Sequence, residues 1–274
     1  MKAEGTNATL PSSSAPDPAS FSHYPAIPPP VSVPVVSLGE HPCPYLPGRA
    51  SESRALLAEG MPAGVYHRFM DAGFRRSGRL VYQPICRGCR ACVPIRVPVN
   101  TFTPSKSQRR CRRKNQDLVV SAAQPAATDE KYDLYRRYVA GRHGRIADDE
   151  SRESFEGFLY DSPVDTVEFT YRNGAGRLLG VGLCDVSAES LSTVYFYYEP
   201  AESRRGLGTF GALYEIEAAA RLGLPYYYLG YWVDGCASMQ YKADFRPAEV
   251  LGTDGVWRPL ERPAPVAREV PAAG

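Results

Sequence analysis

Three cysteines stand at three-residue intervals, Cys86, Cys89 and Cys92, and are followed by a run from Ser105 to Lys114 with six positive charges and no negative one. A thiolate every third residue can turn toward one ion, so the cysteines suit zinc or an iron-sulfur cluster, with Cys43 or Cys111 as a fourth ligand. The basic run suits phosphate: Arg forks bind phosphate oxygens in pairs, and the interleaved Ser107, Gln108 and Asn115 can fix their position. Blocks of Arg and Lys are also ordinary solvated helix faces. Lys106, Arg109, Arg110 and Arg113 share one helical face at spacings of three and four and are the expected phosphate contacts; Arg112 and Lys114 fall off it. No His-x-x-x-His pair and no Ser-His-Asp signature is present, so the motifs do not support classical nucleophilic catalysis. His67 and His143 read as structural or exposed.

The elements that position these groups follow from local pattern. Residues 1–36, rich in Ser, Pro and Ala, lack hydrophobic periodicity and are expected to be disordered, because they bury too little apolar area to offset backbone ordering. A helix is expected from Ser53, broken around Gly60-Met61-Pro62, and a second over 63–72 with Gly73 as its stop. Leu80 to Pro84 and Val93 to Val99 read as strands, the latter at a sheet edge because of its prolines. The basic run reads as a helix with Pro104 and Ser105 at its start.

A composition shift near residues 121–127 suggests a boundary. Beyond it come helical spacing over 131–139, a shorter turn over 154–160, and strands over 166–171, 178–186 and 191–198, the first two joined by Asn173-Gly174-Ala175-Gly176. A glycine turn, Ser203 to Phe210, opens a helix that stops at Gly223. An aromatic strand, Tyr226 to Trp232, and a short helix over 237–243 follow. Tyr226 to Tyr228 are expected in the core by alternation. This order is that of the GNAT acyltransferases, in which the turn before the long helix meets the pyrophosphate of coenzyme A. Ser203 stands where that family usually has Gln or Arg, so the coenzyme A signal is weak. The expected fold is α+β: a GNAT-like domain over 126–250, preceded by a smaller cysteine- and arginine-rich α+β domain over 37–125, with a tail over 251–274.

With 32 basic and 30 acidic side chains, the basic segment stands out against a nearly neutral chain. No apolar stretch approaches the roughly 18 residues of a membrane span. The first residues lack an export signal, and seven cysteines, an odd number, argue against a disulfide framework. A cytoplasmic protein with reduced thiols or a metal site is expected.

Cys43-Pro44-Tyr45-Leu46-Pro47-Gly48, Ala72 to Gly78, the Cys86 to Val97 block, Ser107-Gln108-Arg109-Arg110, Leu229-Gly230-Tyr231-Trp232-Val233 and Met239-x-Tyr241-Lys242-Ala243-x-Phe245-x-Pro247 together resemble the bacterial aminoacyl-tRNA protein transferases. The resemblance spans about residues 36–250. It implies a leucyltransferase that uses leucyl-tRNA to extend N-terminal Asp or Glu, acting in the N-degron pathway with its adaptor and protease downstream and no membrane partner. Arginyl-tRNA as donor, a coenzyme A-dependent acetyltransferase and a zinc-ribbon nucleic-acid binder remain as alternatives. Some similar eukaryotic enzymes are thought to hold an iron-sulfur cluster on an N-terminal cysteine pair; here Leu46 stands at its second position. No cofactor is expected beyond a possible zinc or cluster at Cys43, Cys86, Cys89 and Cys92. Within the resembling blocks, Arg75 and Arg76 are the candidates for the substrate carboxylate. Tyr231, Tyr241 and Lys242 are those for the aminoacyl pocket or oxyanion, with aromatic core and a surface lysine as the plain alternative.

The chemistry is consistent with that resemblance. Aminoacyl-tRNA is an activated ester, and an N-terminal amine with a pKa of about 7.7 to 8.0 is partly the free nucleophile at neutral pH. Orientation alone can lower the barrier by roughly 7 to 11 kcal/mol, so a strong base is unnecessary.

Overall fold

The computed structural model describes residues 33–143 and 151–261. Expectations for residues 1–32, for the His143 side chain and for the end of the tail lie outside the described residues. The smaller of two sheets has the order β1-β2-β4-β3, from Val36–Pro42, Ala50–Leu57, Leu80–Pro84 and Arg75–Ser77, with every pair antiparallel. The helix expected from Ser53 is therefore strand β2. Its Glu, Arg, Ala and Leu are good helix formers, but Ser51, Ser53 and Ala55 alternate inward and pairing with β4 overrides propensity. Helix α1, Ala63–Asp71, packs Phe69 against Phe74 with ring centroids 5.1 Å apart. Gly73, at φ +87°, then turns the chain into β3, a conformation that glycine adopts without strain.

The larger sheet has the order β12-β11-β5-β10-β9-β8-β7-β6. Its strands are Trp257–Pro259, Glu249–Leu251, Cys92–Pro98, Tyr226–Val233, Ser190–Tyr198, Leu178–Val186, Thr166–Arg172 and Val119–Ala123. Two expectations are corrected here. β5 sits inside the sheet rather than at its edge: β11 pairs only with Ile95 and Arg96, so the missing N–H groups of Pro94 and Pro98 fall outside that ladder. And because β5 belongs to this sheet, the segments 37–125 and 126–250 share a core; β12 likewise draws part of the expected tail into the sheet.

Strands β6 to β9 form an antiparallel meander. Helix α5, Leu207–Arg221, crosses one face and leads into β10, which runs parallel to β9. Helices α3, Asp129–His143, and α4, Arg152–Leu159, cover the other face: Val181 and Leu183 of β8 pack with them while Cys184 turns toward α5. Meander, α5 and β10 reproduce the GNAT-like order. β9 and β10 pair only over Tyr226–Tyr228 with Ser190–Ser192, and the β10 register against β5 shifts between Tyr228 and Gly230.

The Phe196 ring fits against Gly180, Gly182 and Gly211; a Cβ at Gly211 would come within 2.2 Å of that ring. Alanine in a helix gains up to about 1 kcal/mol over glycine, whereas overpacking a core costs about 1–3 kcal/mol. Gly211→Ala is therefore expected to lower the urea midpoint, and a raised midpoint would contradict this packing.

Candidate active site

Two buried cations meet at Gly230. Arg75, in β3, is 5% exposed; its Nη1 donates to the Phe74 carbonyl at 2.7 Å and its Nη2 to the Gly230 carbonyl at 3.3 Å. Its guanidinium lies over the rings of Tyr228 and Tyr231, 5.1 and 5.6 Å from their centroids. Its Nε has no hydrogen-bond partner among the described residues. Lys242 lies in the 3-10 turn Gln240–Asp244, is 8% exposed, and donates from Nζ to the Tyr231 carbonyl at 2.9 Å. Burial, then the neighbouring Arg75 charge, brings Lys242 down to about 7. Neither cation belongs to an ion pair among the described residues.

Gly230, at φ +83°, brings bare backbone against both, at a position termed the notch: a Cβ there would lie 3.5 Å from Lys242 Nζ and 3.9 Å from Arg75 Nε. A carboxylate in that notch would meet an unpaired guanidinium N–H and an ammonium in a dry setting, where such contacts are strongest.

The neighbouring elements hold Arg75 in place. Tyr228 donates to Asp71, which also accepts from Arg96 Nη1 at 2.8 Å. Arg96 Nε donates to Glu249 at 2.8 Å, and its guanidinium lies 3.7 and 4.2 Å from the ring centroids of Tyr226 and Trp257. This latch joins α1, β5, β10, β11 and β12. Tyr231 forms a wall of the notch; its hydroxyl donates to the Gly73 carbonyl at 2.7 Å, so its ring and carbonyl, not its hydroxyl, serve the site. His67 joins the structural side of the latch, with Nε2 3.4 Å from Asp71.

Arg76 does not belong to the notch, contrary to expectation. Its Nε and Nη2 bind both oxygens of Asp185 at 2.8 and 2.7 Å, and both side chains are fully buried. Tyr66 donates to the same carboxylate at 2.6 Å and Thr166 at 2.9 Å. The guanidinium is already satisfied and a substrate carboxylate has no way to it. Arg76→Ala leaves Asp185 buried without its counterion and is expected to cost roughly 3–5 kcal/mol of stability, read from thermal unfolding. A selective loss of activity at unchanged melting temperature would overturn this assignment.

A basic cavity of about 450 Å³ lies on the other side of the Lys242 turn. Its lining includes Arg110, Lys114, Arg204, Arg205, Gly206 and Tyr241. Helix α2, Lys106–Lys114, starts at Ser105 as expected, in a capping box that uses Gln108, a residue expected to position phosphate. Asn115 at its end is fully buried and donates to the Cys111 and Arg205 carbonyls, both at 2.9 Å, which pins the turn before α5 onto α2. Gly206, at φ +69°, opens α5 without a side-chain cap, and together with Thr209 it lines the cavity, so the uncapped start of the helix borders it.

Of the four expected phosphate contacts only Arg110 lines this cavity, joined by Lys114, which the helical face had placed aside. Lys106, Arg109 and Arg113 are exposed beside it, and Arg109 Nη1 donates to the Pro104 carbonyl at 2.6 Å. Tyr241 is 42% exposed and lines the cavity while the next residue, Lys242, reaches the notch. One short turn thus separates a phosphate-compatible cavity from a carboxylate-compatible notch.

The cysteines converge in part. Burial and the nearby thiols of Cys86, Cys43, Cys89 and Cys236 push Cys92 up to about 12. Cys236, unassigned in the sequence, joins this group from the loop after β10. Among the described residues, however, no three His, Cys, Asp or Glu side chains could hold a metal ion. Cys86 contacts Ser51 and the Glu52 carbonyl, and Cys89 accepts from Arg49. Cys111 lines the basic cavity instead, its thiol 3.4 Å from the Gly206 carbonyl. Cys184 is core.

Comparison with known proteins identifies the family of the chain. The family model described as arginine-tRNA-protein transferase, N terminus, matches residues 41–110, and that described as its C terminus matches residues 130–252. The chain is 44% identical over 216 residues to an aspartate/glutamate leucyltransferase of Pseudomonas putida (strain W619), covering 77% of this chain and 90% of that one. It is 39% identical over 240 residues to that of Thiobacillus denitrificans, covering 87% and 99%, and 43% identical over 236 residues to that of Sphingopyxis alaskensis, covering 83% and 91%. The chain is an aminoacyltransferase and belongs to the aminoacyl-tRNA protein transferase family, on the aspartate/glutamate leucyltransferase branch.

Proposed function

We propose that this protein moves leucine from leucyl-tRNA to the N-terminal Asp or Glu of other proteins, and that Arg75 and Lys242 select the acidic side chain. The observation that carries this reading is the pair of buried cations with no carboxylate of their own among the described residues. Burying charge without a counterion is costly, and an incoming carboxylate would relieve that cost at the moment of recognition. The 3′ end of the tRNA lies in the basic cavity, its phosphates against Arg110, Lys114 and the first amides of α5. The α-amine of the acceptor attacks the ester carbonyl; the C–N bond forms, the bond to the ribose oxygen breaks, and a proton passes from nitrogen to that oxygen. Holding amine and ester together supplies most of the acceleration. In the same reading, the products pass to an N-degron adaptor and protease.

Peptides beginning with Asp, Glu or Lys, mixed with leucyl- or arginyl-tRNA and analysed by mass spectrometry, test the reading. Leucine should appear on the Asp and Glu peptides only; transfer that survives ribonuclease, or that needs acetyl-CoA, would refute it.

A pH effect follows from Lys242. In the folded chain it loses its proton near 7, while in the unfolded chain it keeps it into the ordinary lysine range. Its burial therefore makes stability rise with pH between those limits. A bound carboxylate favours the charged form. Affinity for an Asp-initiated peptide, relative to its Asn counterpart, is thus expected to fall severalfold between pH 6 and 9 by calorimetry, and Lys242→Met should remove the trend.

A further inference from the structure

We propose that the notch between Arg75 and Lys242 also accepts a phosphate monoester, making chains that begin with phosphoserine a further class of acceptor for aminoacyl transfer. The inference rests on reading the notch as the site that binds the acceptor's acidic side chain, and it goes beyond that reading by counting charge and donors.

The notch holds two cations. The carboxylates on neighbouring elements are already committed, Asp185 to Arg76 and Asp71 to Arg96 and Tyr228. With Lys242 charged, the form a bound anion favours, an Asp or Glu side chain sets one negative charge against two positive ones. A phosphate monoester carries about −1.5 to −2 near pH 7, which matches the pair more closely.

The donors match as well. Lys242 has three N–H groups and spends one on the Tyr231 carbonyl. Arg75 Nε adds a further N–H with no partner among the described residues. Two N–H groups of Lys242, the Nε–H of Arg75 and the second hydrogens of its Nη1 and Nη2 thus remain, enough for the three terminal oxygens of a phosphate as well as for the two of a carboxylate.

Reach is also satisfied. The phosphorus of phosphoserine stands three bonds from Cα through Cβ and Oγ, as the carboxyl carbon of Glu does through Cβ and Cγ. A notch deep enough for Glu therefore presents its donors at the height of the phosphate. With no Cβ at Gly230, no side chain of that residue stands against the two nitrogens; a Cβ there would be in contact with both. The transfer step is unchanged: the amine nitrogen bonds to the ester carbon, the ribose oxygen leaves with a proton, and the phosphate takes no part in bond making.

The test uses the full-length protein, leucyl-tRNA and four peptides that differ only in their first residue: Asp, Glu, phosphoserine and Ser. The proposal expects kcat/KM for the phosphoserine peptide to exceed that for Ser at least tenfold, with a KM no higher than that for Glu. It also expects phosphatase treatment of the peptide to abolish the gain. A phosphoserine peptide no better than Ser, while Asp and Glu peptides are leucylated, would overturn the proposal and leave the assignment of the notch intact. Failure of the Asp and Glu peptides as well would overturn both.

Discussion

Arg75→Met is expected to lower kcat/KM for Asp- and Glu-initiated peptides by roughly 30- to 3000-fold while leaving the affinity for leucyl-tRNA unchanged. Truncating one partner of a buried, hydrogen-bonded charge pair costs about 2–5 kcal/mol, and each 1.4 kcal/mol is about tenfold. Melting behaviour separates this from a structural defect. Arg75 has no counterion among the described residues, so removing it relieves a buried charge, and the variant should unfold at the same temperature as the native protein or higher. Its neighbour behaves oppositely: Arg76→Ala strands Asp185 and unfolds early. Two adjacent arginines with opposite signatures, one in turnover and one in stability, would be hard to obtain from a general loss of fold. A fall in melting temperature for Arg75→Met comparable to that of Arg76→Ala would remove the distinction.

The second large effect is on the donor side. Replacing Arg110 and Lys114 together by Glu should weaken tRNA binding by at least tenfold and flatten its salt dependence. Each phosphate contact contributes about one unit to the slope of log K against log salt, so the double variant should lose about two units. Both residues line the basic cavity, whereas Arg112 is drawn away by its ion pair with Glu217. Arg112→Glu is the matched control and should change the slope little. Filter binding between low and moderate salt measures all three proteins. An unchanged slope in the double variant would place the tRNA elsewhere, and kcat with saturating tRNA should be far less affected than KM for tRNA.

Local chemistry made some of this visible before the structure. Pro104 and Ser105 announce the start of α2, and the meander, glycine turn and aromatic strand announce the GNAT-like order, because helix-start chemistry and two-residue alternation act over a few residues. Gly73 and Gly223 end their helices at positive φ as expected. The misses are long-range. Ser53 to Leu57 has helical composition, yet β4 supplies the pairing that makes it a strand.

Arg75 and Arg76 are equivalent in sequence terms. Their separation into a ligand-facing and a structural residue depends on Asp185, which lies 109 positions away from Arg76. Lys242 is polar and adjacent to the exposed Tyr241, so nothing local reveals that it is buried against the Tyr231 carbonyl. The signal that could have found the notch is Gly230, a glycine inside an aromatic strand, since such glycines mark bulges and close approach. Cys236 joined the other thiols only through the fold, and Pro94 and Pro98 misplaced β5 because the short reach of β11 is invisible in the chain.

The most direct measurement is a crystal structure of the protein with a bound Asp-initiated peptide. The side-chain carboxylate should lie over Gly230, within hydrogen-bond distance of both Arg75 Nε and Lys242 Nζ, with the α-amine turned toward the Tyr241 side of the turn. A carboxylate seated in the basic cavity, or bound away from both cations, would contradict the account.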